Sequence, residues 1–206
     1  MLKLYFCSLV EEEPGLPPGL LSSYRTEKLS SLKNSLVRRQ SIFSELLLRY
    51  TLRDSGFPLA TPLEIVEAEQ GKPYLQNESC FFSISHSENA VLCALCDSEV
   101  GADLQIRSKF KTALAERFFT PDEQTYILSS ADVDAAFTEI WTKKESWCKY
   151  TGQGLGLSLS SFSVLDDQIA PSLWHMTEGE YHISVCTDKL PDQIGLNIID
   201  ASALLP

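Results

Sequence analysis

Apolar and polar positions follow two rhythms along this chain. The run Leu2-Lys3-Leu4-Tyr5-Phe6-Cys7-Ser8-Leu9-Val10 reads as a β-strand. After Glu11-Glu12-Glu13, the turn formers Pro14-Gly15-Leu16-Pro17-Pro18-Gly19 stop regular structure. Two helices are predicted next. The second, Ser35 to Arg53, sets Leu36, Ile42, Phe43, Leu46, Leu47 and Tyr50 on one face, and Gly56 and Pro58 end it. Strand-like runs follow at Leu63 to Ala68, Cys80 to Ser85 and Ala90 to Cys96. The last two are joined by a polar turn, Ser85-His86-Ser87-Glu88-Asn89, and Glu99 to Ile106 is a further strand.

The rhythm then turns helical. Thr120 is a candidate cap, with Pro121 at the first helical position and acids behind it. A longer helix, Asp132 to Tyr150, stops at Gly152, and strands return at Phe162 to Leu165, Leu173 to Met176, Tyr181 to Thr187 and Ile194 to Ile199. The halves share an order of elements, and Tyr181-His182-Ile183-Ser184-Val185-Cys186-Thr187-Asp188 echoes Asn89-Ala90-Val91-Leu92-Cys93-Ala94-Leu95-Cys96-Asp97. The expectation is an α+β fold of two related subdomains, residues 1–102 and 103–206, facing across a ligand-binding cleft.

At 206 residues and 44% apolar content, the chain can fill a core unaided. Its net charge of −11 argues against general nucleic-acid binding. Positive surface is local: between residues 25 and 53, Arg25, Lys28, Lys33, Arg38, Arg39, Arg49 and Arg53 face only Glu27 and Glu45, either as a solvated helix face or as an anion site. The six cysteines are scattered through apolar surroundings and read as reduced core residues. Cys93 and Cys96 have CxxC spacing but lie within a strand and lack a second pair. The N-terminal apolar run is too short for a signal peptide, and no run approaches the ~20 residues of a membrane span. A soluble, cytoplasmic protein without membrane contact is expected.

Candidate chemistry centres on two carboxylates 42 residues apart, Asp103 in Val100-Gly101-Ala102-Asp103-Leu104-Gln105 and Glu145 in Trp141-Thr142-Lys143-Lys144-Glu145-Ser146-Trp147-Cys148-Lys149. Helical spacing puts Trp141, Glu145 and Lys149 on one face, and strand spacing puts Asp103 and Gln105 on one face. These oxygens suit Mg²⁺, which takes one or two carboxylates and keeps room for phosphates. On spacing alone the same residues read more readily as polar strand positions and an i,i+4 ion pair. His86, between Ser85 and Ser87, can donate to a phosphate or tie down its own turn. His175 and His182 read as structural or exposed. Gly71-Lys72-Pro73 is by itself only a turn. No Ser/His/Asp signature or phosphate-cradling GxxxxGK motif is present.

Taken in order, Gly71-Lys72-Pro73, Phe82-Ser83-Ile84-Ser85-His86-Ser87, Val100 to Gln105 and Trp141 to Lys149 resemble the 4′-phosphopantetheinyl transferases, specifically the tandem, surfactin-synthetase-activating type. The resemblance spans nearly the whole chain. It implies two α/β subdomains related by a pseudo-two-fold axis, and a monomer. It also implies Mg²⁺-dependent transfer of the phosphopantetheine arm of coenzyme A to a serine of an apo acyl or peptidyl carrier protein, releasing 3′,5′-ADP. Asp103, Gln105 and Glu145 would stand at the metal positions, Lys149 on the phosphates, and Glu145 as general base for the serine. Ser85 and His86 would hold the nucleotide phosphates, Lys72 would lie near the adenine, Arg25 and Lys28 near the 3′-phosphate, and Ser41 would touch the nucleotide.

Two departures stand out against the family's usual Gly-(Val/Ile)-Asp-(Ile/Leu)-Glu. This chain has Ala102 and, more consequentially, Gln105, an amide that brings an oxygen but no charge. A weakened metal site follows, with Mn²⁺ substituting well, and with it the alternative of a non-catalytic member that binds coenzyme A or a carrier. The chain is also acidic, as carrier proteins are, so docking needs a local basic or apolar patch. Lys109, Lys111, Arg117, Phe118 and Phe119 are expected to form it.

Overall fold

The computed structural model describes residues 1–57, 59–76, 80–154 and 158–206. The chain opens with β1 (Leu2–Ser8), α1 (Ser23–Ser31) and α2 (Ser35–Asp54), then the small hairpin β2 (Ile65–Glu67) and β3 (Pro73–Leu75). Strands β4 (Phe81–Ser87), β5 (Ala90–Cys96) and β6 (Val100–Ile106) lead to α3 (Thr112–Phe118), α4 (Pro121–Ser129) and α5 (Val133–Thr151). Strands β7 (Leu173–Glu178), β8 (Tyr181–Thr187) and β9 (Leu196–Ile199) follow. The fold is mixed α and β, with one sheet ordered β4-β5-β1-β9 and another β6-β8-β7.

Alternation decides which face of each strand meets which neighbour. Tyr5, Cys7, Val91, Cys93, Leu95 and Phe82 pack under Phe43, Leu46 and Leu47 of α2. The opposite positions, Leu4, Phe6, Leu92 and Ala94, meet Ala102, Leu104, Ile183 and Val185 of the other sheet. Strand β5 is therefore covered on both sides, which is why its sequence is an unbroken apolar run rather than an alternating one. The far side of the second sheet carries α5, where Thr142 Oγ1 and Ser184 Oγ lie 2.8 Å apart.

Strands β4 and β6 are the adjoining edges of the two sheets, and serine side chains clip them together. Ser83 Oγ accepts from Ala102 N at 2.9 Å, Ser87 Oγ accepts from Ile106 N at 3.0 Å, and Ser85 Oγ donates to Asp103 at 2.7 Å. Ser83 lies in the expected strand, and the correction concerns His86 and Ser87, expected in a turn and found in the strand. The hairpin loop is only Glu88-Asn89, with Glu88 at φ 47°, so His86 belongs to β4.

A second correction concerns Phe162 to Leu165, expected as a strand. Its backbone is taken up elsewhere: Phe162 O accepts from Lys144 at 2.6 Å, and Val164 N donates to Glu123 at 2.8 Å. The segment forms turns after a short 3-10 helix, Leu159–Ser161. The expected cap at Thr120 is present, with Glu123 Oε2 accepting from Thr120 N at 2.9 Å. Gly152 ends α5 in the left-handed region at φ 69°. The boundary expected between residues 102 and 103 falls within the continuous strand β6.

Candidate active site

The site begins with how closely α5 lies on β6. A Cβ at Gly101 would sit 2.0 Å from Ser146 O and 2.3 Å from Tyr150 N, so only glycine admits the helix at this depth. At that depth the last turns of α5 overhang Asp103, which is 5% exposed. Lys149 Nζ donates to Asp103 Oδ1 at 2.6 Å, to Ser85 Oγ at 3.0 Å and to Ala102 O at 3.1 Å. One amine thus gathers two strands and a helix around a buried carboxylate.

Glu145 stands one helical turn earlier, half-buried. Burial raises its pKa, Asp103 raises it further, and Lys149 opposes both. Among the described residues no hydrogen bond reaches the Glu145 carboxylate or Asp103 Oδ2. Gln105 follows Asp103 on the same strand face, half-buried and opposite His182 across the ladder, and its amide also lacks a side-chain hydrogen bond among the described residues. Two carboxylates in electrostatic reach of each other and of one lysine, with oxygens left open, offer donors of the hard, oxygen-only type that fits Mg²⁺.

A cavity of about 550 Å³ opens over this group, with Glu145, Cys148 and Lys149 of α5 as one wall. Phe82, Ser83 and Ile84 of β4 line it, as do Gln70 to Pro73 and, from α3, Arg117 and Phe118. Of the residues expected at a site, Lys72, Glu145 and Lys149 are on the lining, and Asp103 and Ser85 join it through Lys149. Lys72 is held by Glu99 at 2.6 Å and Val100 O at 3.1 Å.

Arg25 and Ser41 form a second group, with Arg25 Nη1 donating to Ser41 Oγ at 3.1 Å and Arg25 Nε 3.5 Å from Glu45. Glu45, fully buried, also accepts from Ser22 N and Ser22 Oγ at 2.6 Å each, which locks α1 to α2. Lys28 pairs with Glu67 at 3.2 Å and donates to Tyr24 Oη. His86 ties the two groups electrostatically: the surrounding protein, then the Lys149 and Arg25 cations, hold its imidazole below the usual range even though its edge reaches solvent.

Sequence reasoning missed the support of this site. Lys144 and Glu123, both fully buried, meet at 2.7 Å, and the ammonium also lies 4.3 Å from the Phe162 ring centroid. Lys144 precedes Glu145, so this pair sets the roll of α5 that points Glu145 and Lys149 into the cavity. The only signal available was the capping position of Glu123. Of the residues expected to form a docking patch, Lys109, Lys111 and Arg117 are exposed and Phe118 faces the cavity, whereas Phe119 is buried against Phe137 and Trp141. That corrects its place on the surface.

A family model for the 4′-phosphopantetheinyl transferase superfamily matches residues 99–197, the stretch holding Asp103, Glu145 and Lys149. The chain is 33% identical over 170 residues to the 4′-phosphopantetheinyl transferase psf-1 of Bacillus pumilus, covering 73% of this chain and 72% of the relative. It is 31% identical over 144 residues to gsp of Aneurinibacillus migulanus, covering 68% and 60%, and 27% identical over 159 residues to Sfp of Bacillus subtilis, covering 76% and 71%. The chain belongs to the 4′-phosphopantetheinyl transferase superfamily, a family of enzymes. Within it, these relatives are of the Sfp type, the type that the order of motifs resembles.

Proposed function

We propose that this protein transfers the 4′-phosphopantetheine group of coenzyme A to a serine of an apo acyl or peptidyl carrier protein, releasing 3′,5′-ADP. The observation that carries this reading is the Lys149 amine bridging buried Asp103 and Ser85 beneath a cavity that Glu145 also lines, in a chain of this family.

Each residue's part follows from its chemistry. The serine oxygen bonds to the phosphorus of the pantetheine-bearing phosphate, and its proton passes to the Glu145 carboxylate. The P–O bond to the nucleotide phosphate breaks, and its electron pair leaves with 3′,5′-ADP. Lys149, fixed by Asp103 and Ser85, presents a point charge to the phosphates. Bound Mg²⁺, held by Asp103, Glu145 and Gln105, would neutralise diphosphate charge, and Mn²⁺ suits the same oxygens. Ser85 and His86 hold the nucleotide phosphates, Arg25 and Lys28 the 3′-phosphate, Ser41 touches the nucleotide, and Lys72 lies near the adenine.

The same reading divides the chain into subdomains 1–102 and 103–206 in a pseudo-two-fold relation. In its support, each half carries one long helix, α2 or α5, on one of the two sheets. It places a monomer in the cytoplasm, and among the described residues no helix is long and apolar enough to cross a membrane. Carriers dock where Lys109 and Lys111 are exposed beside Arg117 and Phe118.

The test is to incubate the protein with coenzyme A, Mg²⁺ and apo carriers of fatty-acid, polyketide and peptide systems, then weigh the carriers. A gain of one phosphopantetheine arm is expected. Hydrolysis of coenzyme A with unchanged carriers contradicts the reading.

A further inference from the structure

Three cations line the 550 Å³ cavity, and they differ in how their charge is spent. Lys72 is paired with Glu99 at 2.6 Å and Lys149 with Asp103 at 2.6 Å. Arg117 makes no ion pair and donates no side-chain hydrogen bond among the described residues. Its side chain is exposed, and the guanidinium rests over an aromatic ring. It lies 5.0 Å from the centroid of Phe118, and Phe118 stands edge-on to Trp141, with centroids 5.8 Å apart and planes at 86°. Trp141 is one helical turn ahead of Glu145 on α5.

The cavity is therefore strung along α5. Lys72 lies beside Gly152 at the C-terminal end, 3.9 Å from a Cβ built there. Lys149 and Glu145 come next, and Arg117 lies over Phe118, whose ring packs on Trp141 further back along the helix. From residue 152 back to 141 the helix rises about 16 Å. On the transferase reading above, which this inference rests on, the nucleotide occupies the Lys72 end and the diphosphate lies over Lys149. The ligand must then leave the site past Arg117.

We propose that Arg117 binds the pantetheine-bearing phosphate of coenzyme A, the group that is transferred, from the α3 wall of the cavity. Two considerations support this over a purely surface role. Lys149 is shared with Asp103, so beyond the charge that bound Mg²⁺ would offset, an unpaired guanidinium on the cavity lining is free to contact the phosphate directly. Its planar fork also matches two phosphate oxygens at once, which a lysine cannot do. Arg117 thus reads the phosphate that distinguishes coenzyme A from the product nucleotide.

Titration calorimetry in Mg²⁺ buffer tests this with two ligands, coenzyme A and 3′,5′-ADP, the second lacking the pantetheine-bearing phosphate together with the arm it carries. Arg117→Ala should weaken coenzyme A by about tenfold, the loss expected for a charged hydrogen-bond pair, and leave 3′,5′-ADP within about twofold of wild type. Arg117→Lys should fall between wild type and alanine. In steady-state assays the KM for coenzyme A should rise while the KM for the carrier stays put. Equal weakening of both ligands, or a carrier KM that rises while coenzyme A affinity is unchanged, overturns the assignment. A wild-type protein that binds neither ligand overturns the transferase reading and this proposal with it.

Discussion

The Lys149 amine lies 2.6 Å from Asp103 Oδ1, on a helix whose carbonyl at Ser146 would be only 2.0 Å from a Cβ at Gly101. The ion pair and the glycine are one arrangement. Asp103 is buried on a strand, and a lysine can reach it along with Ser85 and Ala102 O only if the helix backbone presses onto that strand.

Gly101→Ala should therefore cost about 3 kcal/mol or more, at the upper end of overpacking penalties, because the clashing atoms are backbone and cannot rotate away. Denaturant unfolding measures it. Gly15→Ala, where nothing lies within 4 Å of the added Cβ, is the matched control and should stay near wild type. Equal stabilities would show that α5 can lift off β6 at little cost.

The buried Lys144–Glu123 pair makes a different prediction. Lys144→Met leaves the Glu123 charge buried without its partner and should destabilise by about 3–5 kcal/mol. Adding Glu123→Leu to the same chain should recover most of that loss, since replacing both charges leaves no orphan. If the double variant is as unstable as the single one, the site depends on packing by the lysine stem rather than on charge.

Gln105 stands where the resembled family carries an acid. Gln105→Glu adds a third carboxylate beside Asp103 and Glu145, so metal dependence of transfer should tighten, with half-saturation at lower Mg²⁺. Superposable metal titrations of the two forms would remove position 105 from the ligand set.

His86 predicts a proton linkage. Its folded pKa lies below 6.5, so between that value and 6.5 the unfolded chain binds more protons. Stability should accordingly be full above pH 6.5 and fall as the pH drops through this window. Phosphate binding beside His86 should raise its pKa, so coenzyme A should bind with proton uptake at about pH 6. Calorimetry in buffers of different ionisation heat reads that uptake, and His86→Asn should reduce it. An unchanged uptake places the phosphates away from His86.

Much of this was legible from spacing. The unbroken apolar run of β5, the shared face of Asp103 and Gln105, the Trp141/Glu145/Lys149 stripe, the cap at Thr120 and the stop at Gly152 all depend on neighbours within one element. What could not be read depends on distant partners. Lys144 and Lys143 are adjacent and chemically alike, yet Lys143 pairs half-buried with Glu139 one turn back on α5 while Lys144 is sealed against Glu123, 21 residues away. Ser85 to Ser87 read as a turn because they are polar, and Ser85 and Ser87 are polar because they bond β6 across two sheet edges. Phe162 to Leu165 reads as a strand from its local pattern, but its backbone serves a buried ion pair that no local pattern reveals.

The most direct test is to compare wild type with Glu145→Gln in loading an apo carrier from coenzyme A, weighing the carrier and quantifying 3′,5′-ADP in the same reaction. Wild type should add one phosphopantetheine arm per carrier with equal 3′,5′-ADP. The variant should lose about a hundredfold or more in rate, as general base catalysis implies, while keeping its melting temperature. Loading by Glu145→Gln at the wild-type rate, or 3′,5′-ADP release by wild type without loading, would contradict the account.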